Sequence, residues 1–164
     1  MVRMQVYKIG MDPQRRPLVL LADEEGKRLL PIWIGPFEAH AIASELKGQV
    51  YPRPLTHDLL RSVIETLGYS LERVEITHLQ DHTFYALLHL QGPVGQVEID
   101  SRPSDAIALA LRTKTPLYVA EEVLDQAQFL SDEAEAEETE KFRELLGNMT
   151  PEVEEPGLEE DLGG

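Results

Sequence analysis

The chain has 164 residues, 42% of them hydrophobic, enough to bury one good core and hardly two. It has no cysteine, which excludes disulfides and thiol chemistry and fits a reducing cytoplasm. No run nears the roughly 18 apolar residues of a membrane span, and the opening MVRMQVYKIGMD lacks the apolar block of a signal peptide.

Charge is unevenly spread. Of the net −15, the stretch from Ser131 to Gly164 holds 13 acids against Lys141 and Arg143, and the remaining residues are nearly balanced. A polyanionic partner is repelled by the chain as a whole, though not necessarily by one face of its body. Arg outnumbers Lys by 10 to 5 and Asn148 is the only asparagine, a bias found in thermophile proteins.

In chain order, Val2, Met4 and Val6 alternate with polar residues and predict a strand. PLVLLADEEGKRLLPIWIG, from Pro17, reads as a hairpin around Asp23 to Gly26. Pro36 then suits the first turn of a helix reaching about Lys47, with Ala39, Ile42, Ala43 and Leu46 as its apolar stripe. After the rigid link YPRPL, Thr56 is expected to cap a second helix, ended by Gly68, with Leu59, Leu60, Val63, Ile64 and Leu67 facing the core. Strands are expected near 71–79, 83–90 and 94–99, a helix from the segment IDSRPSDAIALALR, and a short strand at PLYVA. Beyond Glu121 the pattern weakens. Residues 132–146 are compatible with a helix carrying Phe142, Leu145 and Leu146, and the final acidic, Pro- and Gly-bearing stretch reads as disordered.

Aligned without gaps, Ile34 to Leu46 echoes Ile99 to Leu111, and each copy follows a hairpin. A duplicated hairpin–helix unit accounts for this; so does the general look of any strand leading into a buried helix. The echo sets His40 opposite Asp105. The expected fold class is α+β: a mixed, mostly antiparallel sheet with helices on its faces over 1–130, an acidic helical extension at 131–148 and a disordered tail at 149–164.

Two polar clusters sit at helix starts. In IDSRPSDAIALALR, Ser101, Ser104 and Asp105 can all cap free N–H groups, with Pro103 fixing the first turn. These candidates exceed what one cap requires. Arg102 adds a cation where a helix start already favours anions, a pairing suited to a phosphate oxygen, and Asp100 with Asp105 has the chemistry to hold Mg²⁺ or Mn²⁺. In RPLTHDLL, Thr56 and Asp58 are ordinary helix-start residues with His57 exposed. Read functionally, His57 is a general acid or base, Asp58 orients it or binds metal, and Arg53 serves phosphate. His78, His82 and His89 lack zinc-site spacing. Glu38 is placed to cap its own helix, and Trp33 reads as core or an oligomer contact.

LPIWIGPFEAHAIA, RPLTHDLL, TFYALL and IDSRPSDAIALALR, in this order and spacing, resemble the bifunctional nuclease domain family over about residues 1–125, including PLYVAEEVL. The resemblance implies a self-associating α+β domain and cleavage of RNA and DNA, the activity assigned to plant members. The motif matches include Arg53, His57, Asp58, Arg102, Ser104 and Asp105. The expected activity is therefore metal-assisted phosphodiester hydrolysis, with His57, Asp58 and Ser104 catalytic, Arg53 and Arg102 on phosphate, and Asp100 and Asp105 on Mg²⁺ or Mn²⁺. Nucleic acid is the expected substrate and a homodimer the expected assembly. A non-catalytic, homo-oligomeric regulatory or interaction module is the alternative.

Overall fold

The computed structural model describes residues 1–133 together with Arg143, Glu144 and Gly147. Three strands open the chain, β1 (Val2–Met11), β2 (Pro17–Asp23) and β3 (Leu29–Trp33), followed by helices α1 (Pro36–Leu46) and α2 (Thr56–Thr66). Three more strands, β4 (Ser70–Gln80), β5 (Thr83–Gly92) and β6 (Gly95–Ser101), lead into α3 (Pro103–Thr113), β7 (Leu117–Val119) and α4 (Glu121–Glu133). They form one seven-stranded sheet of order β3-β2-β1-β7-β4-β5-β6. Among the described residues only the β4–β7 pair is parallel. The fold is α+β, as the sequence predicts.

Turn chemistry sets the hairpins. The Asp12 carboxylate accepts the N–H groups of Gln14 and Arg16, and Asp23 accepts those of Lys27 and Arg28, so each carboxylate closes its own loop. Between β4 and β5, Gln80 pairs with Thr83 and the two loop residues Asp81 and His82 both have positive φ, the requirement of a type I′ turn. His82 is therefore a turn residue.

Two halves repeat one plan: β1-β2-β3 then α1, and β4-β5-β6 then α3, on either side of the central β7. Counted from the leading prolines Pro36 and Pro103, the third residue is Glu38 in α1 and Asp105 in α3. The ungapped sequence echo, which pairs His40 with Asp105, is thus two residues out of step with the helix starts.

Helix α3 is buried almost all round, packed on β4 and β5 and flanked by α1 and α2. Ala106, Ala108 and Ala110 let its neighbours approach, while Ile107 and Leu109 join Ile42, Val19, Leu21, Val74 and Ile76 in the core. Helix α2 departs from expectation. Its N-cap is Leu55, not Thr56, and no side chain of the capping residue bonds the helix start. Its apolar stripe faces outward, with Leu59 56% and Leu67 65% exposed and Leu60 and Val63 also open; Ile64 alone of the five touches the core. Periodicity reports that a helix has an apolar face, not what covers it.

Helix α4 begins at Glu121, earlier than the helical segment expected at 132–146. Val123 and Leu124 are buried in the core and anchor it, so it straddles the boundary expected at residue 130. The rest of that segment, apart from isolated positions, and the tail expected at 149–164 lie outside the described residues.

Candidate active site at the joined helix starts

Among the described residues no side-chain cap bond is made at the start of α3. Its N-cap is Arg102, and Ser101 donates its hydroxyl to the Arg102 carbonyl, 2.9 Å away, rather than serving the helix. Asp105 is instead engaged by two other side chains. His57 Nε2 lies 2.9 Å from its Oδ1, and Arg102 Nε donates to its Oδ2 at 2.8 Å. Arg102 continues to Glu38, with Nη2 2.9 Å from Oε1. One chain of contacts, Glu38–Arg102–Asp105–His57, therefore ties together the first turns of α1, α3 and α2.

Each side chain gets there for a local reason. Glu38 folds back over Gly35, where a Cβ would collide with its carboxylate. It reaches Arg102, so its expected capping of its own helix is not what it does; α1 has no side-chain cap bond. Pro103 holds the start of α3 and leaves Arg102 extended just before it (φ −69°, ψ 142°), between the two acids. His57, expected on the surface in the plainer reading, is only 8% exposed. An ionised carboxylate only accepts, so the shared proton sits on Nε2 and Nδ1 is the basic nitrogen of the neutral ring.

A second connection lies one residue along. Asp58 Oδ2 accepts the Leu55 N–H at 2.9 Å, and its Oδ1 accepts Arg112 Nε at 2.9 Å. Arg112 is 6% exposed and also donates to the carbonyls of Ala108 and Ala41, at 2.8 and 3.0 Å. Counted from the leading prolines, those two alanines are equivalent, so one guanidinium binds the same point of both repeats. Asp58 thus starts its helix and holds Arg112; it does not touch the ring of His57 through any hydrogen bond.

Burial by itself would raise the Asp105 carboxyl, but the bonds from Arg102 and His57 outweigh it and hold the group below the ordinary carboxylate range. Asp58 is likewise held low, burial being outweighed by the Leu55 N–H and by Arg112. Arg102 is raised, chiefly by its bond to Asp105. Both acids are therefore ionised at neutral pH, and each faces an arginine.

These pairings bear on a metal. Both oxygens of Asp105 and both of Asp58 already have donors, and Asp100 lies exposed on β6, opposite Leu87 of β5. Among the described residues no three His, Asp or Glu side chains converge into a metal cage. The donor set fits a divalent ion poorly unless Arg102 yields Asp105.

Of the residues singled out in the sequence, His57, Arg102 and Asp105 form one cluster, and Asp58 is its neighbour. Ser104 is buried, with no side-chain hydrogen bond among the described residues. Arg53 lines a separate cavity beside Asp58 and Arg112. Glu38 and Arg112 were not expected to take part; the only hint of Arg112 was a cation ending a very apolar helix. Trp33 is 43% exposed and donates to Asp12 at 3.1 Å, which makes it a clamp on the first turn rather than core. His78 stacks on Tyr85 with ring centroids 4.3 Å apart, and His89 sits 2.9 Å from Glu75, so neither joins the cluster.

The chain as a whole has relatives. The bifunctional nuclease domain matches residues 19–132, and the chain belongs to that family. It is 47% identical over 148 residues to an uncharacterized protein of Mycobacterium tuberculosis, covering 85% of this chain and 88% of that protein. It is 29% identical over 119 residues to Bifunctional nuclease 1 of Oryza sativa subsp. japonica and 30% over 108 to Bifunctional nuclease 1 of Arabidopsis thaliana. The match covers 36% and 33% of those plant proteins, so the chain spans about a third of their length.

Proposed function

We propose that the protein is a nuclease that hydrolyses phosphodiester bonds of RNA and DNA, with His57 and Asp105 as its proton-moving pair. The observation that carries this reading is the Arg102–Asp105–His57 chain at the start of α3. Asp105 orients the ring through Nε2, and Nδ1 takes the proton of an attacking water. The water oxygen bonds phosphorus, the ester P–O bond breaks, and the leaving oxygen acquires a proton. Arg102, with its side chain 64% exposed, is the cation nearest the pair and turns from Glu38 toward the phosphate. Asp58 serves by fixing the helix that carries His57. Ser104 enters as the small residue that keeps the mouth of α3 open.

Mg²⁺ or Mn²⁺ at Asp100 and Asp105 is a separate proposal, in which the ion competes with Arg102 for Asp105; the proton steps above do not pass through it. Purified protein on labelled RNA and DNA, in EDTA, Mg²⁺ or Mn²⁺, tests both. Cleavage in EDTA removes the ion from the reading. No cleavage by the wild type under any condition removes the nuclease.

The exposed apolar stripe of α2 supports self-association, and a two-fold dimer is the simplest form. The same stripe favours the second reading, a regulatory or interaction module, should cleavage be absent. A cytoplasmic location rests on the lack of cysteine; among the described residues no helix is long and apolar enough to cross a membrane.

A further inference from the structure

We infer that the cavity beside Asp58 is a subsite for one unpaired nucleobase, which makes single-stranded nucleic acid the substrate class; this rests on the nuclease reading above. The cavity, about 290 Å³, lies between the end of α1, the 49–55 loop and the start of α2. Binding pockets commonly run from about 300 to 1,000 Å³, so this one is at the small end and suits a single base rather than a stacked pair.

Its walls have the chemistry of a base site. Arg112 and Asp58 at its floor neutralise each other, and at its rim Arg53 and Glu45 have opposite signs. A cavity without net charge disfavours a buried phosphate and suits a flat, neutral, polar ring. The floor still has hydrogen bonds to give. The Asp58 side chain is 38% exposed and each of its oxygens keeps a lone pair, so it can accept an N–H of a base, with the buried Arg112 behind it.

Tyr51 provides a stacking surface. It is 37% exposed, and its hydroxyl lies 3.2 Å from both His40 Nε2 and Gln49 Oε1, which fixes the ring in place. Base–aromatic stacking is the common means of holding single strands. Pro52 and Pro54 stiffen the loop around Arg53, which has no ion pair among the described residues and is placed for the phosphate that the base leaves outside. Asp58, which lines the cavity, and His57, which bonds Asp105, both belong to the first turn of α2, so the cavity and the proton-moving pair share one helix start. A duplex cannot enter without unpairing.

The test compares cleavage of a single-stranded oligonucleotide with its duplex, alongside binding of adenosine and uridine 5′-monophosphates by calorimetry. The wild type is expected to prefer the single strand by about tenfold or more. Tyr51→Ala is expected to raise KM on the single strand on the order of tenfold with little change in kcat, and to lose mononucleotide binding. Val50→Trp, which adds bulk at the exposed rim, is expected to block mononucleotide binding without disturbing the fold. Equal cleavage of single and double strands, with KM unaltered in Tyr51→Ala, overturns the subsite and leaves the nuclease standing. Mononucleotide binding that depends on Tyr51 in a protein that cleaves nothing keeps the subsite and ends the nuclease reading. Neither binding nor cleavage overturns both.

Discussion

Replacing Asp105 by asparagine keeps the shape of the side chain and removes its charge. Were Asp105 a cap, the loss would stay below about 1 kcal/mol. Here the carboxylate receives two charge-assisted bonds in a partly buried place, so Asp105→Asn is expected to lower stability by roughly 1–3 kcal/mol, read by urea melts. A loss under half a kcal/mol would return Asp105 to a capping role. The pH dependence has a definite sign. Asp105 and Asp58 are held below the ordinary value of 3.8, so the unfolded chain binds protons more readily than the folded one. Their contribution is fully present above that ordinary value and is lost as pH falls through it toward the lower folded values. The Asp105→Asn variant should accordingly lose less stability than the wild type between about pH 5 and pH 2; parallel curves would contradict this. A milder probe is Gly35→Ala, whose Cβ would push Glu38 off Arg102. It is expected to cost about 1 kcal/mol and to cost nothing further in a Glu38→Ala background, where the contact is already gone.

At the scale of elements, strands and helix starts were legible because they rest on local chemistry: alternation for β1, the Asp23 turn for β2–β3, and Pro36 and Pro103 for α1 and α3. What joins the elements was not. The His57–Asp105 contact spans 48 residues and Asp58–Arg112 spans 54, and nothing in either motif says that one helix start meets another. The sequence therefore drew attention to His57, Arg102 and Asp105 and missed Glu38 and Arg112, which acquire partners only once α1, α2 and α3 are packed. Helix α2 illustrates the same limit from the other side, since its apolar stripe was read as core and is solvent-facing. That stripe yields a test. Leu59→Ser with Leu67→Ser should leave the protomer folded and shift light scattering toward monomer. A wild type already monomeric at micromolar concentration would leave the stripe without this role.

For the whole molecule, the sheet order β3-β2-β1-β7-β4-β5-β6 gives each half a matching meander and helix, and the candidate site lies where helices of the two halves meet. The net charge of −15 works against any nucleic acid, and most of it comes from residues beyond Ser131. Residues 150–164 hold few apolar side chains, Val153, Leu158 and Leu162, among six acids. Truncation after Met149 is expected to move Tm by no more than a few degrees and, by removing six acids, to lower KM for an oligonucleotide at low salt. A larger fall in Tm would mean that this segment packs on the body. The most direct measurement of the His57–Asp105 claim is cleavage of labelled RNA and DNA by wild type, His57→Gln and Asp105→Asn, each verified as folded by circular dichroism. The expected result is cleavage by the wild type and a loss of roughly 100-fold or more in both variants, the usual worth of a positioned acid–base group. Folded variants that cleave at the wild-type rate would contradict it.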